Sequence, residues 1–174
     1  MEKHFDVVVI GGGHAGISAA IAAAESGYST VLINDRPMLG GNASSECGVP
    51  AHGAEALGHN RNLRDTGILE DIRMDFYCRY SKHADITSYW DLLLYERCYR
   101  TKNLTLAMNT RMVSVSKNGR EIVSVDTVNL SNTSTDRYFG RYFIDGTGDG
   151  NLGYLAGAEY RFGRECRDEF GEYY

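Results

Sequence analysis

The spacing of apolar positions changes several times along the chain, and each change predicts a different element. Residues 5–10 (FDVVVI) and 30–33 (TVLI) are continuous apolar runs, which are typical of strands buried on both faces of a parallel sheet. Between them, residues 14–25 (HAGISAAIAAAE) are rich in alanine and are followed by Ser26 and Gly27, which predicts a helix that ends at a glycine. Together these elements form one βαβ unit of the usual ~30 residues.

The middle of the chain first loses and then regains a regular pattern. Residues 42–59 are rich in glycine, serine and other small residues, so they predict an irregular loop. Helices are predicted at 66–80 and 88–99. The second helix carries an apolar stripe at helical spacing that includes Trp90, which indicates that this side chain belongs to the core.

Short strands dominate the last third. Residues 104–108 predict a third strand of the main sheet, and Asn118-Gly119 between alternating apolar residues predicts a hairpin. A further strand pair is predicted up to Asp145, followed by a short helix at 152–158. The prediction is one α/β domain over residues 1–174, a Rossmann-like parallel sheet with a small helical insertion at about 60–102 and an antiparallel β-meander at about 111–140.

Composition narrows the class of protein. A chain of 174 residues with 43% apolar content is long enough for about one domain with a real core. The net charge of −5 argues against nucleic acid or a membrane surface as a partner and favours a small-molecule substrate. The four cysteines form no Cys-x-x-Cys pair, and no apolar run approaches the ~20 residues of a membrane span. We therefore expect a cytoplasmic protein without a bound metal.

A glycine-rich turn links the first strand to the first helix. In the fingerprint Gly-x-Gly-x-x-Gly, Gly11 permits a tight turn, Gly13 lets the backbone approach a pyrophosphate, and Gly16 lets helix and strand pack closely. The amides at the start of the helix and the helix dipole complement phosphate charge. The pattern predicts dinucleotide binding. His14 is either a further phosphate contact or a solvent-facing residue of the first helical turn.

The residues after the second strand leave the nucleotide open. Asn34 and Asp35 follow Gly16 at roughly the 20-residue spacing expected for the acid that binds a ribose. Only one of these neighbours can face the ribose, because adjacent side chains at a strand end point to opposite sides. Arg36 could meet a 2′-phosphate. On these residues alone NAD, NADP and FAD are all compatible.

Four segments together resemble the FAD-dependent oxidoreductases with a flavin domain of the glutathione reductase type. The coincidence of a glycine loop, a second Gly-Gly and a late Thr-Gly-Asp in this order is more specific than the first loop alone. The segments are VVVIGGGHAGISAAIAAAESG (7–27), MLGGNASSE (38–46), the helices TGILEDIR (66–73) and WDLLLYE (90–96), and FIDGTGDGNLGYLAGAEYRFGRE (143–165).

The resemblance implies FAD as the cofactor and a role for each matching position. The implied contacts are Gly11, Gly13 and Gly16 with the pyrophosphate, Asn34 with the adenosine ribose and Asp35 beside it, Gly40, Gly41 and Asn42 with the phosphate and ribityl side, the backbone near Met112 with the adenine edge, and Thr147, Gly148 and Asp149 closing over the cofactor. Asn34 stands where the family usually has an acid. His52 lies in a loop that could face the flavin ring, so it is either a candidate proton donor or a structural loop histidine. No other catalytic side chain is identified.

The resemblance implies flavin-dependent oxidation or reduction of a small organic substrate. Family members run to several hundred residues, so we expect this chain to be an N-terminal fragment that forms an incomplete FAD-binding domain. We further expect weak FAD binding by the chain alone, with self-association or a completing chain covering the open surface. The alternatives are an NADP-dependent reductase, if Arg36 binds a 2′-phosphate, and a non-catalytic nucleotide-binding subunit completed by another chain.

Overall fold

The computed structural model describes residues 1–49, 65–80 and 86–171, which form one mixed sheet with helices. The elements in chain order are β1 (Glu2–Ile10), α1 (His14–Glu25), β2 (Thr30–Ile33), a 3-10 turn (Gly41–Ala43), α2 (Ile68–Tyr80), α3 (Ile86–Arg100), β3 (Leu104–Ala107), β4 (Thr110–Asn118), β5 (Glu121–Asn129), β6 (Thr135–Asp145), α4 (Asn151–Leu155) and α5 (Arg167–Phe170).

Six strands form a single sheet in the order β3-β2-β1-β6-β5-β4. The pairs β3/β2, β2/β1 and β1/β6 are parallel, whereas β6/β5 and β5/β4 are antiparallel. The predicted α/β, Rossmann-like fold with an antiparallel meander is therefore confirmed. Strand β6 joins the parallel strands of the sheet to the antiparallel ones, because it pairs with β1 on one side and with β5 on the other.

Alternate residues of the central strands supply two separate cores, as the two-residue period of a strand requires. Val7, Val9 and Leu32 pack with Ile17 and Ile21 of α1 and with buried side chains of α2 and α3. The other face of the strands packs in a second cluster. Its buried members are Val8, Ile10, Val31, Ile33, Val125, Tyr138 and Leu152. Trp90 lies in the first cluster, only 7% exposed, so its assignment to the core is confirmed.

Several element boundaries differ from the predicted ones for identifiable reasons. The pairing of β4 with β5 runs from Thr110 to Asn118, so backbone hydrogen bonds extend the hairpin into polar residues that an apolar pattern does not mark. Residues 135–145 form one long strand rather than a strand pair, because they pair with β1 and β5 together. Helix α4 ends at Leu155 because Gly157 adopts a left-handed backbone conformation with φ of 76°.

Among the helices in the described ranges, none is long and apolar enough to cross a membrane.

Candidate nucleotide-binding site

Three glycine segments meet at the carboxyl edge of the parallel strands. The Gly40 amide donates to the Gly12 carbonyl oxygen at 2.8 Å, and Gly13 and Gly40 form an isolated parallel bridge. The Gly146 amide donates to the Ile10 carbonyl oxygen at 2.7 Å. The loops that follow β1, β2 and β6 are thereby held together where open α/β sheets bind their ligands.

Close backbone packing explains two of the glycines in the first loop. A Cβ atom on Gly16 would lie 1.8 Å from the Gly11 carbonyl oxygen, and one on Gly11 would lie 2.6 Å from the carbonyl carbon of Gly146. Gly11 also has a φ of 97°, which side chains rarely adopt. At these positions the turn, helix α1 and the loop after β6 pack so closely that a methyl group would not fit.

Gly13 differs, because the space in front of its α-carbon is open with respect to the described residues. The nearest atom to a Cβ built there is the Gly146 carbonyl oxygen at 3.9 Å. Gly13 is also the N-cap residue of α1 and provides no side-chain cap, while its carbonyl oxygen accepts the Ile17 amide at 2.9 Å. The amides of the first turn of α1 therefore border an open space with the positive end of the helix dipole behind it.

Asn34 connects the glycine turn to the loop after β2. Its Oδ1 accepts a hydrogen bond from the Gly12 amide at 3.0 Å. Its Nδ2 donates to the carbonyl oxygens of Arg36 at 3.0 Å and Met38 at 2.8 Å, so both amide hydrogens are used within the chain. The residue is only 6% exposed. Asn34 is thus a bridge between two loops of the site, a role that the sequence pattern did not indicate.

Asp35 lies on the solvent side of the same strand end. Its carboxylate is 3.7 Å from Nε of Arg111, and both side chains are about half exposed. The strand β4 runs beside this edge because the Thr110 amide donates to the Asn34 carbonyl oxygen at 2.8 Å. Met112, two residues further along β4, packs against the second core. Asp35, Arg111 and the backbone of β4 therefore form one exposed edge.

A buried carboxylate on α3 holds the second glycine segment in position. Asp91 Oδ1 accepts the Ser45 amide at 3.0 Å, and the Ser45 hydroxyl also donates to Asp91 Oδ2. Asp91 is 8% exposed, and the Ser44 hydroxyl donates to the Gly41 carbonyl oxygen at 2.7 Å. No sequence motif marked Asp91 as a residue of the site. Its signal is an acid placed directly after Trp90, beside an apolar stripe.

The loop after β6 is organised by Asp145. Asp145 Oδ1 accepts hydrogen bonds from the Thr147 amide at 3.0 Å and the Thr147 hydroxyl at 2.6 Å, while Oδ2 accepts the Gly153 amide at 3.0 Å. Burial by itself would raise the pKa of Asp145, but these hydrogen bonds outweigh it and hold the pKa below its usual range. The carboxylate stays charged and shapes the loop, while Gly148 and Asp149 remain exposed.

His14 stands at the first position of α1, directly after Gly13. Its Nε2 accepts a hydrogen bond from the Trp90 indole Nε1 at 3.2 Å, and the two rings form an edge-to-face pair with centroids 5.6 Å apart. Burial lowers the pKa of His14, and the positive charge of Arg73 lowers it further. The imidazole is therefore neutral at physiological pH.

The structure brings some of the predicted site residues together and not others. The glycines of the first two segments and His14 meet around the start of α1, where Gly146 packs against Gly11 and Gly16, whereas Gly148 is exposed. Asp35 and Met112 lie along the adjacent edge formed by β2 and β4. Asn42 is exposed on the 3-10 turn. His52 lies outside the described residues. Cys47 is a free, exposed thiol beside this edge, with Sγ 3.8 Å from Arg36 NH1.

Within residues 1–49, 65–80 and 86–171, no group of three His, Cys, Asp or Glu side chains could hold a metal ion.

Comparison with protein families gives one match over almost the whole chain. The family model described as FAD dependent oxidoreductase matches residues 6–173. Among curated proteins, the chain is 28% identical over 152 residues to the mitochondrial 5-taurinomethyluridine-[tRNA] synthase subunit MTO1 of Macaca fascicularis, covering 83% of this chain and 21% of that protein. It is 54% identical over 43 residues to a fumarate reductase (cytochrome) of Shewanella frigidimarina, covering 25% of this chain and 8% of that protein.

Solved structures share the fold at low sequence identity. A geranylgeranyl bacteriochlorophyll reductase-like protein of Thermoplasma acidophilum aligns with a TM-score of 0.63 and 18% identity, covering 91% of this chain and 43% of that one. The halogenase CndH, described as a variant of the FAD-dependent halogenases, aligns with a TM-score of 0.60 and 18% identity, covering 84% of this chain and 38% of that one.

Proposed function

This chain belongs to the family of FAD-dependent oxidoreductases, whose cofactor is FAD, and we propose that its glycine-lined edge binds that cofactor for the oxidation or reduction of a small organic substrate. Bound flavin supplies the hydride and electron chemistry. The contribution of the chain is to bind and orient the dinucleotide and to set the charge around it.

The observation that carries this proposal is the contrast between Gly13 and its neighbours. Gly11 and Gly16 are closed by backbone at distances where a methyl group would clash, whereas Gly13 faces open space beside uncapped helix amides. A pyrophosphate needs both features, since its oxygens must come close to the backbone and its charge is stabilised by the helix N-terminus. The residues present therefore fit a dinucleotide.

We assign the predicted contacts along this edge as follows. Gly11, Gly13, His14 and Gly16 border the pyrophosphate, and Asp35 is the better candidate for the adenosine ribose because both amide hydrogens of Asn34 are already used. Asn34 then acts on the ribose side indirectly, by fixing the loop that carries Asp35. The remaining proposed contacts are the backbone near Met112 with adenine, Gly40, Gly41 and Asn42 with the phosphate and ribityl side, and Thr147, Gly148 and Asp149 with the covering loop.

The proposal also covers the substrate and the part of the protein that contacts it. The chain spans about a fifth of the length of the mitochondrial relative, which matches over 21% of its residues. We propose that a further segment or a partner chain supplies the substrate-facing part. The name of that relative refers to tRNA, but the net charge of −5 on this chain favours a small molecule over a polyanion.

The proposal is tested by the visible absorption spectrum of the purified chain, before and after incubation with FAD and removal of the excess. We expect a flavin spectrum that stays with the protein, and Gly13→Ala should lose it while unfolding at an unchanged denaturant concentration. Gly153→Ala is the matched control, because its Cβ would lie at ordinary contact distance from Asp145 Oδ2 (3.8 Å) and outside the proposed contacts. Retention of flavin by Gly13→Ala would contradict the assignment of the pyrophosphate to this turn.

A second candidate is a nucleotide-binding subunit that is not catalytic by itself. Exposed aromatic side chains near the end of the described chain favour it, since Phe162 is 97% and Phe170 62% exposed. Copurification of a second chain, with FAD bound but no turnover without that chain, would support this alternative. The NADP-dependent reductase is less favoured, because Arg36 NH1 lies 3.6 Å from Glu46 and is engaged beside the loop.

A further inference from the structure

The contact between Trp90 and His14 joins the helical layer to the proposed phosphate site. Trp90 belongs to α3, where it packs edge-to-face against Phe76 of α2 with ring centroids 5.2 Å apart. Its indole N–H is directed at His14 Nε2, at 3.2 Å. His14 is the residue after Gly13, so its ring stands at the turn that borders the open space.

The hydrogen bond determines which imidazole nitrogen carries the proton. Trp90 Nε1 is a donor only, so His14 Nε2 must be the acceptor and therefore unprotonated. A neutral imidazole with an unprotonated Nε2 carries its proton on Nδ1. Protonation of Nε2 would place two N–H groups against each other and break the contact.

The charged groups around this ring also favour its neutral form. Arg73 of α2 is 6% exposed and pairs with Asp65 at 3.4 Å and Glu70 at 3.7 Å. On α3 the neighbouring acid is Asp91, whose carboxylate accepts hydrogen bonds from Ser45. Arg73 is the charged group that acts on the His14 ring, and its positive charge favours the neutral imidazole.

We propose that Trp90 is a positioning residue that fixes His14 as the Nδ1–H tautomer, and that this N–H donates a hydrogen bond to an oxygen of the bound dinucleotide. The inference rests on the proposed function, because it requires a nucleotide at the turn after β1. It goes further by giving Trp90, a core side chain, a defined role in binding.

The tautomer can be tested on the chain without a ligand. In nitrogen-15 NMR of the imidazole at pH 7.5, we expect the proton on Nδ1 in the wild type and a shift toward the Nε2–H form in Trp90→Phe, which keeps an aromatic ring but has no N–H. Trp90 is the single tryptophan, so indole fluorescence reports on this side chain. Since a charged imidazole quenches indole emission, emission should fall when acidification protonates His14, at a pH below the ordinary pKa of imidazole, and should not do so in His14→Gln.

The donor role is tested by titrating FAD and following flavin fluorescence at pH 7.5. His14→Gln keeps an acceptor at the Nε2 position but has no donor at Nδ1, and we expect at least about tenfold weaker binding, the effect of losing one hydrogen bond to a charged group. His14→Asn keeps an N–H near the Nδ1 position and should bind more tightly than His14→Gln. Trp90→Phe should show an intermediate loss, and His4→Gln, at the other end of β1, should bind like the wild type.

Each outcome separates this inference from the proposed function. A proton on Nε2 in the wild type, or emission that titrates identically in His14→Gln, would overturn the Trp90 role. Equal affinity of the wild type and folded His14→Gln would overturn the donor role alone. Failure of the wild type itself to bind FAD would instead overturn the proposed function, and the donor role with it, while the tautomer result would still stand.

Discussion

The turn after β1 and the segment after α4 are both rich in glycine, but their surroundings are opposite. In the turn, Gly16 is buried and a Cβ there would lie 1.8 Å from backbone oxygen. In the later segment, no atom of the described residues lies within 4 Å of a Cβ built on Gly163, and the neighbouring Phe162 is 97% exposed. Gly16 is therefore required by packing, whereas Gly163 is required by its backbone conformation, with a φ of 84°.

The polar groups of the two regions differ in burial as well. Around the turn, Asn34 and Asp91 are buried and bind backbone or hydroxyl donors and acceptors of neighbouring loops. In the later segment, the ion pair of Arg161 with Glu169 is exposed, and such pairs contribute about 1 kcal/mol or less. Substitutions should consequently have large effects at the turn and small effects in the later segment.

The largest effect is expected for Gly16→Ala. The added methyl group would overlap the Gly11 carbonyl oxygen, so helix α1 must move away from β1, which should lower the free energy of unfolding by more than about 3 kcal/mol. Urea denaturation measures the change. Gly13→Ala, three residues earlier in the same turn, is the control and should unfold like the wild type. Equal stability of both variants would show that the close backbone contact is not important.

Asn34→Asp should come next, although it introduces the acid that the family usually has near this position. A carboxylate oxygen in place of Nδ2 would face the carbonyl oxygens of Arg36 and Met38, which lose their donor. We expect a loss of about 2–3 kcal/mol in the free energy of unfolding. Asn42→Asp, at an exposed position, is the control and should change stability by about 0.5 kcal/mol or less. A stabilised Asn34→Asp would contradict the bridging role.

Asp91→Asn should have a moderate effect. The neutral amide has one acceptor oxygen in place of two and carries no charge, so we expect a loss of about 1–2 kcal/mol and weaker retention of FAD as the second glycine segment loosens. Denaturation and the absorption spectrum measure the two effects. The control is Glu96→Gln on the same helix, which disturbs only surface ion pairs with Arg79 and Arg100. Identical behaviour of the two variants would argue against a role for Asp91.

The smallest effect on stability is expected for Phe162→Ser. The ring is almost fully exposed, so the free energy of unfolding should change by about 0.5 kcal/mol or less. If this surface is covered in an assembly, the variant should self-associate less than the wild type in size-exclusion chromatography at high concentration. A stability loss comparable to that of Gly16→Ala would mean that the later segment is packed, and the contrast between the regions would disappear.

Local patterns in the sequence determined most of the fold. The continuous apolar runs of β1 and β2, the alanine-rich helix between them and the Asn-Gly hairpin each depend on neighbouring residues, so their periodicity is visible without tertiary information. The glycine fingerprint and its family resemblance likewise identified the edge of the sheet where the candidate site lies. The assignment of individual cofactor contacts stays a prediction.

Tertiary structure alone decided what the polar residues of that edge do. The family resemblance implies that Asn34 is a ribose ligand, yet its amide hydrogens bind the carbonyl oxygens of Arg36 and Met38. The helical spacing of apolar residues indicates that Trp90 belongs to the core, yet its N–H donates a hydrogen bond to His14, 76 residues earlier in the chain. The physical reason is that periodicity reports which side of an element is apolar, whereas a hydrogen-bond partner depends on which distant loop the fold brings within about 3 Å.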